Sequence, residues 1–220
     1  MKIKHLTSKC LALASGVALA AILAVNANAQ DVKPGFFVGT DAGLNLMPSI
    51  RVSQGGHTGF GLETDPGFRW GLEGGYGFQL TPKLSLAPEL ESGFMWNEFA
   101  HVKAVGLKEE AGGNLWQVPF LAKAVASYQL GKWTPYAGLG VGLDYAAVNL
   151  RSIINHPITY SHDSWGPAVQ AEVGVCYQLC SHCDVGFGYK YMAVFDEEFA
   201  GLRTSNMQNH TLSVSFTYHL

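Results

Sequence analysis

Leu212, Val214, Phe216, Tyr218 and Leu220 alternate strictly with Thr211, Ser213, Ser215, Thr217 and His219 at the carboxyl end of the chain. A period of two sends successive side chains to opposite faces of a strand, so this segment is a strand with an oily face and a wet face. Two of its oily positions are aromatic, and no polar tail follows. This pattern constrains the fold more than any other feature of the chain, and the rest of the sequence has to agree with it.

At the other terminus, Lys2, Lys4 and Lys9 precede an apolar stretch from about Leu11 to Val25, followed by Ala27-Asn28-Ala29. A basic start, a short apolar segment and a small-x-small site predict a secretory signal peptide over 1–29, cleaved after Ala29. The apolar stretch is about 15 residues, short of the roughly 20 that a spanning helix needs. Residues 30–220 are then the exported domain. All charge in the leader is basic, which leaves the exported part with an acidic balance and argues against nucleic-acid binding. It contains no apolar run long enough for a transmembrane helix, so it can enter a membrane only as a closed barrel.

Seven further segments alternate with period two. They run from about Phe36 to Leu46, Phe68 to Leu80, Leu84 to Trp96, Trp116 to Leu130, Trp133 to Ala147, Trp165 to Leu179 and Asp184 to Ala193. With the terminal strand the number is eight, even as in bacterial membrane barrels. The connections give a separate check, because residues paired across a hairpin face the same side. Leu80 opposite Leu84 leaves a three-residue turn; Leu130 opposite Trp133 leaves Gly131-Lys132, suited to a type II′ turn. Leu179 opposite Val185, or Cys180 opposite Asp184, leaves Ser181-His182-Cys183 inside the third turn. The other four connections, about Met47 to Gly67, Asn97 to Leu115, Val148 to Ser164 and Val194 to Gln208, are long and polar. Pro88 and Pro119 fall inside predicted strands, and bulges or irregular stretches are expected there.

Alternation alone does not tell a membrane barrel from a soluble one that turns its oily face inward. The residue types do. The polar face is rich in Gly with few charges per strand, which suits a narrow, crowded interior. The oily face carries Trp70, Trp96, Trp116, Tyr145 and Trp165 toward the long connections, and Tyr76, Phe78, Tyr128, Trp133, Tyr177 and Tyr218 toward the short turns, with Leu, Val and Ala between. Two aromatic girdles around an aliphatic band is the arrangement rings adopt at two membrane interfaces. The expected fold is all-β: an eight-stranded antiparallel up-and-down transmembrane β-barrel.

The segments Ala87-Pro88-Glu89-Leu90, Trp133 to Gly142, Gly174-Val175-Cys176-Tyr177, Gly188-Tyr189-Lys190-Tyr191 and the closing strand together resemble the eight-stranded outer-membrane barrel family that includes opacity-type surface proteins and the barrel domain of the major outer-membrane protein A. The resemblance implies residence in the outer membrane of a Gram-negative cell, contact with its lipid, and insertion by the outer-membrane machinery through a terminal signal formed by Phe216, Tyr218 and Leu220. The family usually ends in Phe where this chain has Leu220. The motifs specify a fold and an insertion route, not a ligand.

A barrel of eight strands has an interior about wide enough for its own side chains. Parity sends Asp41, Glu73, Glu89, Glu91, Asp144 and Glu172 inward with Arg69, Lys123 and Lys190, and buried charges persist when paired. The registers place Glu172 diagonal to Lys190 and Glu73 opposite Glu91, where Arg69 or Lys123 must reach between the two acids. A network that plugs the lumen is the expected outcome; a narrow cation or proton path is the alternative.

Other candidates are weaker. Cys180 and Cys183 flank a turn in an oxidising compartment and predict a local disulfide, against free thiols or a metal site with His182 and Cys176. His57, His101, His156 and His162 lie in the long connections, with His210 entering the last strand, but their spacing is not that of a ligand set. His162-Asp163-Ser164 with Glu172 weakly echoes the His, Ser and acid of barrel-shaped lipid A deacylases. No enzyme activity, metal or cofactor is expected. The expectation is a monomer with a structural or surface-interaction role, with adhesion or ligand recognition through the segments around Gln54-Gly55-Gly56-His57 and Phe195 to Met207 as the alternative.

Overall fold

A computed structural model describes residues 34–220 apart from 55–56, 105–106, 154–155, 196–197, 200–201 and 205–206. The leader expected over 1–29 lies outside the described residues. Twelve strands follow in order: β1 (Gly35–Leu46), β2 (Ile50–Gln54), β3 (His57–Thr64), β4 (Gly67–Gln79), β5 (Leu84–Ala104), β6 (Leu107–Tyr128), β7 (Trp133–Ile153), β8 (His156–Gln178), β9 (Cys183–Val194), β10 (Glu198–Phe199), β11 (Leu202–Thr204) and β12 (Met207–His219). Among the described residues no helix is long and apolar enough to cross a membrane.

Eight of these strands close into a ring. β1 pairs with β4, and the ladder then runs through β5, β6, β7, β8, β9 and β12 before β12 returns to β1, each pair antiparallel. Closure leaves no edge strand, so the ring satisfies its own backbone groups as a membrane requires. All eight alternating segments are strands of this ring, with ends within a few residues of those expected at the short turns.

The short turns keep oil with oil. Leu80 N–H donates to the Leu84 carbonyl at 2.9 Å, and Leu130 bridges Trp133 across Gly131, whose φ of 66° is left-handed. The third turn is two residues out of the expected register: Gln178 faces Asp184 and Leu179 N–H donates to the Cys183 carbonyl. An even slip preserves which face each side chain meets, so parity could not detect it. It moves Glu172 from a diagonal position to one directly opposite Lys190.

The long connections are also built of strand. β5 with β6, and β7 with β8, continue as paired hairpins well past the expected strand ends. On the far side β5 leaves β4 and takes β3 as partner; β3 pairs with β2, β2 with β11 and β11 with β10, which lies against β8. The wall is thus prolonged beyond the ring by a second set of strands. Register shifts at Glu98/His101, Gly112/Gly113 and Leu150/Ser152 mark where the prolonged hairpins begin. One inserted residue reverses the faces, so a period-two reading ends at each bulge although the strand does not.

Pro88 and Pro119 are not bulges. Each keeps its pairing on one side, Pro88 with Ala124 and Pro119 with Asp144. On the other side the ladder omits two pairs and resumes in the same register, between Glu89 and Leu86 toward β4 and between Ser92 and Met95 toward β6. A proline lacks one N–H, so only the neighbour that N–H would have faced loses its bonds.

Outward positions are mostly apolar and many are exposed: Leu90, Leu139 and Val141 are at least 63% exposed, whereas the inward Glu89, Glu91, Gly138 and Gly140 beside them are buried. Trp116 meets Tyr145 edge-on at 5.4 Å, Tyr145 meets Trp165 at 5.1 Å, and Trp133 meets Tyr177 at 4.8 Å at the opposite end. Trp70, Trp96, Tyr128 and Tyr218 also lie on the outer face, completing the two girdles.

Candidate functional site

The lumen is layered along its axis. At the short-turn end lies an open cavity of about 130 Å³. Above it comes a layer of charges, then a layer of amides, then an apolar layer that closes the far end.

Every acid and base expected in the charged layer points inward. The Lys123 ammonium contacts four carboxylates: Glu73 at 3.0 Å, Glu89 at 2.9 Å, Glu91 at 2.7 Å and Glu172 at 3.1 Å. Lys190 reaches Asp41 at 3.1 Å and Glu91 at 3.0 Å, and lies 3.8 Å from its cross-strand partner Glu172. Arg69 hydrogen-bonds Glu91 through Nη2, with Nε 3.4 Å from Asp41. Glu91 is the hub, because all three cations and the Gln170 amide at 3.3 Å converge on it. Glu73 does stand opposite Glu91, and Lys123 lies between them.

Glycine on the wet face makes room for this. A Cβ on Gly138 would meet Glu172 Oε1 at 2.9 Å, and one on Gly140 would meet Lys123 Cγ at 2.9 Å. The glycine-rich face and the buried charges are therefore one feature: long charged side chains occupy the volume that neighbouring Cβ atoms would fill.

Asp144 departs from the expected network. It is fully buried, and its described partner is the Gln117 amide at 2.6 Å rather than a cation. It belongs to the amide layer, where Asn45 Nδ2 donates to both Asn97 and Asn209 at 2.8 Å and Asn45 Oδ1 accepts from the Thr211 hydroxyl at 2.9 Å. Sequence reasoning missed this layer because uncharged amides carry no pairing demand visible in the chain; their inward parity was the available signal.

It missed the apolar layer too. Met47, Ile50, Met95, Leu115, Met192, Val194 and Met207 are buried in one cluster above the amides. Apart from Met1, every methionine of the chain is in it. The inward face turns from polar to apolar near the far end, so the rule that oil faces outward fails there.

Cys176, Cys180 and Cys183 are free thiols, so the expected Cys180–Cys183 disulfide is not formed. The two residues close a β-turn through backbone bonds of 3.2 and 3.5 Å, and Cys180 Sγ accepts from the His182 N–H at 3.4 Å. His101 lies 3.9 Å from Glu63, while His210 faces outward, 2.6 Å from the Tyr189 hydroxyl. Among the described residues no group of His, Cys, Asp and Glu is arranged to hold a metal. Glu172 is eight residues along β8 from Ser164, about 26 Å in an extended strand, and is held by Lys123. The deacylase-like set is not brought together. Parts of the segments around Gln54 to His57 and Phe195 to Met207 lie outside the described residues.

No curated protein matches the chain. Among solved structures, Neisserial surface protein A aligns with a TM-score of 0.50 at 18% identity, covering 84% of this chain and 97% of its own. The outer membrane protease OmpT from Escherichia coli aligns with a TM-score of 0.50 at 10% identity, covering 85% and 94%. At these identities the likeness extends to the fold. The outer membrane protein β-barrel domain family matches residues 15–219. The chain belongs to that family, and its place is the outer membrane of a Gram-negative cell.

Proposed function

We propose that this chain is a non-enzymatic outer-membrane barrel with a closed lumen, acting as a structural element of the membrane and presenting strands on the cell surface. One observation carries the reading: the Lys123 ammonium is shared by four carboxylates from three other strands across the lumen, at 2.7–3.1 Å. Charges tied in this way are costly to separate, because each loses a desolvated partner. The apolar layer above them offers a hydrated ion nothing to replace its water. The chain works as a monomer, contacts lipid through its girdles, and is delivered by the insertion machinery through Phe216, Tyr218 and Leu220.

Recognition of an extracellular ligand is the second reading. It is favoured by the prolongation of the wall through β2, β3, β10 and β11, which gives the outer end a strand-built surface. Planar-bilayer recording on protein whose folding is verified by an unheated gel shift separates closed from conducting. Silence supports the closed barrel, and a reproducible conductance defeats it. Deleting 50–64 tests recognition: binding to a host-cell or matrix surface should vanish while the gel shift persists.

A further inference from the structure

The cavity at the short-turn end has no part in the closed-lumen reading. In this family's orientation that end faces the periplasm, so the barrel is a cup, shut toward the outside and open toward the inside. Its volume of about 130 Å³ is close to the roughly 150 Å³ apolar cavity known to admit benzene. Its wall includes Phe37, Val125 and Tyr136, and its inner end is formed by Glu73, Glu89 and Glu172 with Lys190.

The two surfaces differ in chemistry. Phe37 and Val125 are buried against the barrel wall and offer an apolar ring and an aliphatic edge. The three carboxylates at the inner end all contact the Lys123 ammonium at 2.9–3.1 Å, and Lys190 adds only longer contacts of 3.7 Å to Glu73 and 3.8 Å to Glu172. In the whole charged layer five acids, Asp41, Glu73, Glu89, Glu91 and Glu172, meet three bases, Arg69, Lys123 and Lys190. Glu73 is the most exposed of these acids, its side chain 14% accessible on the cavity side. An excess of acid beside a water-accessible pocket is compensated best by a positive group entering through that pocket.

The geometry points to a binding site for a small organic cation, a ligand with one ammonium and an apolar body about the size of a benzene ring, entering from the periplasm. The ammonium would sit at the carboxylates of Glu73 and Glu89, and the body against Phe37, Val125 and Tyr136. An anion of the same shape would meet the carboxylates directly and be refused. A neutral isostere would retain only the apolar contact.

Benzylammonium, benzyl alcohol and benzoate test this on the chain refolded in detergent, by calorimetric titration. Benzylammonium should bind about tenfold or more tighter than benzyl alcohol, the difference a charged hydrogen bond supplies, with no benzoate binding. Glu73→Gln should erase the preference while benzyl alcohol binding persists. Ala87→Phe, which fills the cavity from β5, should abolish both, with the gel shift reporting that the barrel still folds. Equal affinity for benzylammonium and benzyl alcohol, absence of binding by either, or benzylammonium binding undiminished in Ala87→Phe would each overturn the assignment.

Discussion

Glu73 on β4 and Glu91 on β5 stand directly opposite one another, and both lie on the Lys123 ammonium, at 3.0 and 2.7 Å. Like charges opposed across two strands repel, so the pair needs cations around it: Lys123 lies on both, and Lys190 stands 3.0 Å from Glu91 and 3.7 Å from Glu73. Lys123→Met should therefore lower stability by about 3–5 kcal/mol, the cost of leaving buried charges without their partner. Urea unfolding followed by tryptophan emission in micelles measures it. Adding Glu73→Gln to Lys123→Met should recover part of the loss; no recovery would mean that Lys123 acts by packing alone.

Gly142 is a test of wall geometry. A Cβ there would run into the Phe120 carbonyl on the neighbouring strand, backbone that cannot rotate away. Gly142→Ala should cost about 1–3 kcal/mol, as overpacking does. Gly131 differs: nothing lies within 4 Å of its Cβ position, and its φ of 66° is the constraint. Gly131→Asn, which tolerates that conformation, should leave the unfolding midpoint nearly unchanged, and Gly131→Val should lower it.

Glu63 on β3 lies in the surface extension, where Lys103 and Lys108 both hold its carboxylate. Hydrogen bonds from Lys103 first and Lys108 second lower its pKa from 4.5 to about 2. A carboxyl depressed on folding contributes stability that is complete above about 4.5 and is lost as the pH falls toward 2. The contribution is small because the pair faces solvent. Carbon-detected titration of the Glu63 carboxyl should give a midpoint near 2, moving upward in Lys103→Met. A midpoint unmoved by that substitution would show that the ion pair does not form in solution.

The ring of eight strands was legible because lipid outside and side chains inside impose opposite chemistry on alternate residues. The charged layer was legible for the same reason: Arg69, Lys123 and Lys190 could only be inward by parity. Parity is blind to even slips, so the turn at Cys180 to Cys183 was placed two residues out and Glu172 was set diagonal to Lys190 rather than across from it. It is blind as well to a change of solvent along one face. Met95, Met192 and Met207 are inward and apolar because the lumen's far end is sealed with thioethers and aliphatic groups, which resembles an ordinary core. Beyond Glu98 and Gly112 a single extra residue reverses the faces, and the surface hairpins read as polar connections.

What touches the five tryptophans, Trp70, Trp96, Trp116, Trp133 and Trp165, decides which face of the barrel meets lipid. Their emission should be measured on the folded chain in phospholipid vesicles, with bromine on the acyl chains in one series and acrylamide in the water in another. Strong quenching by the brominated lipid with little effect of acrylamide is the predicted result. Emission indifferent to bromine would place these rings inside the cylinder and contradict the membrane-facing assignment of the entire oily surface.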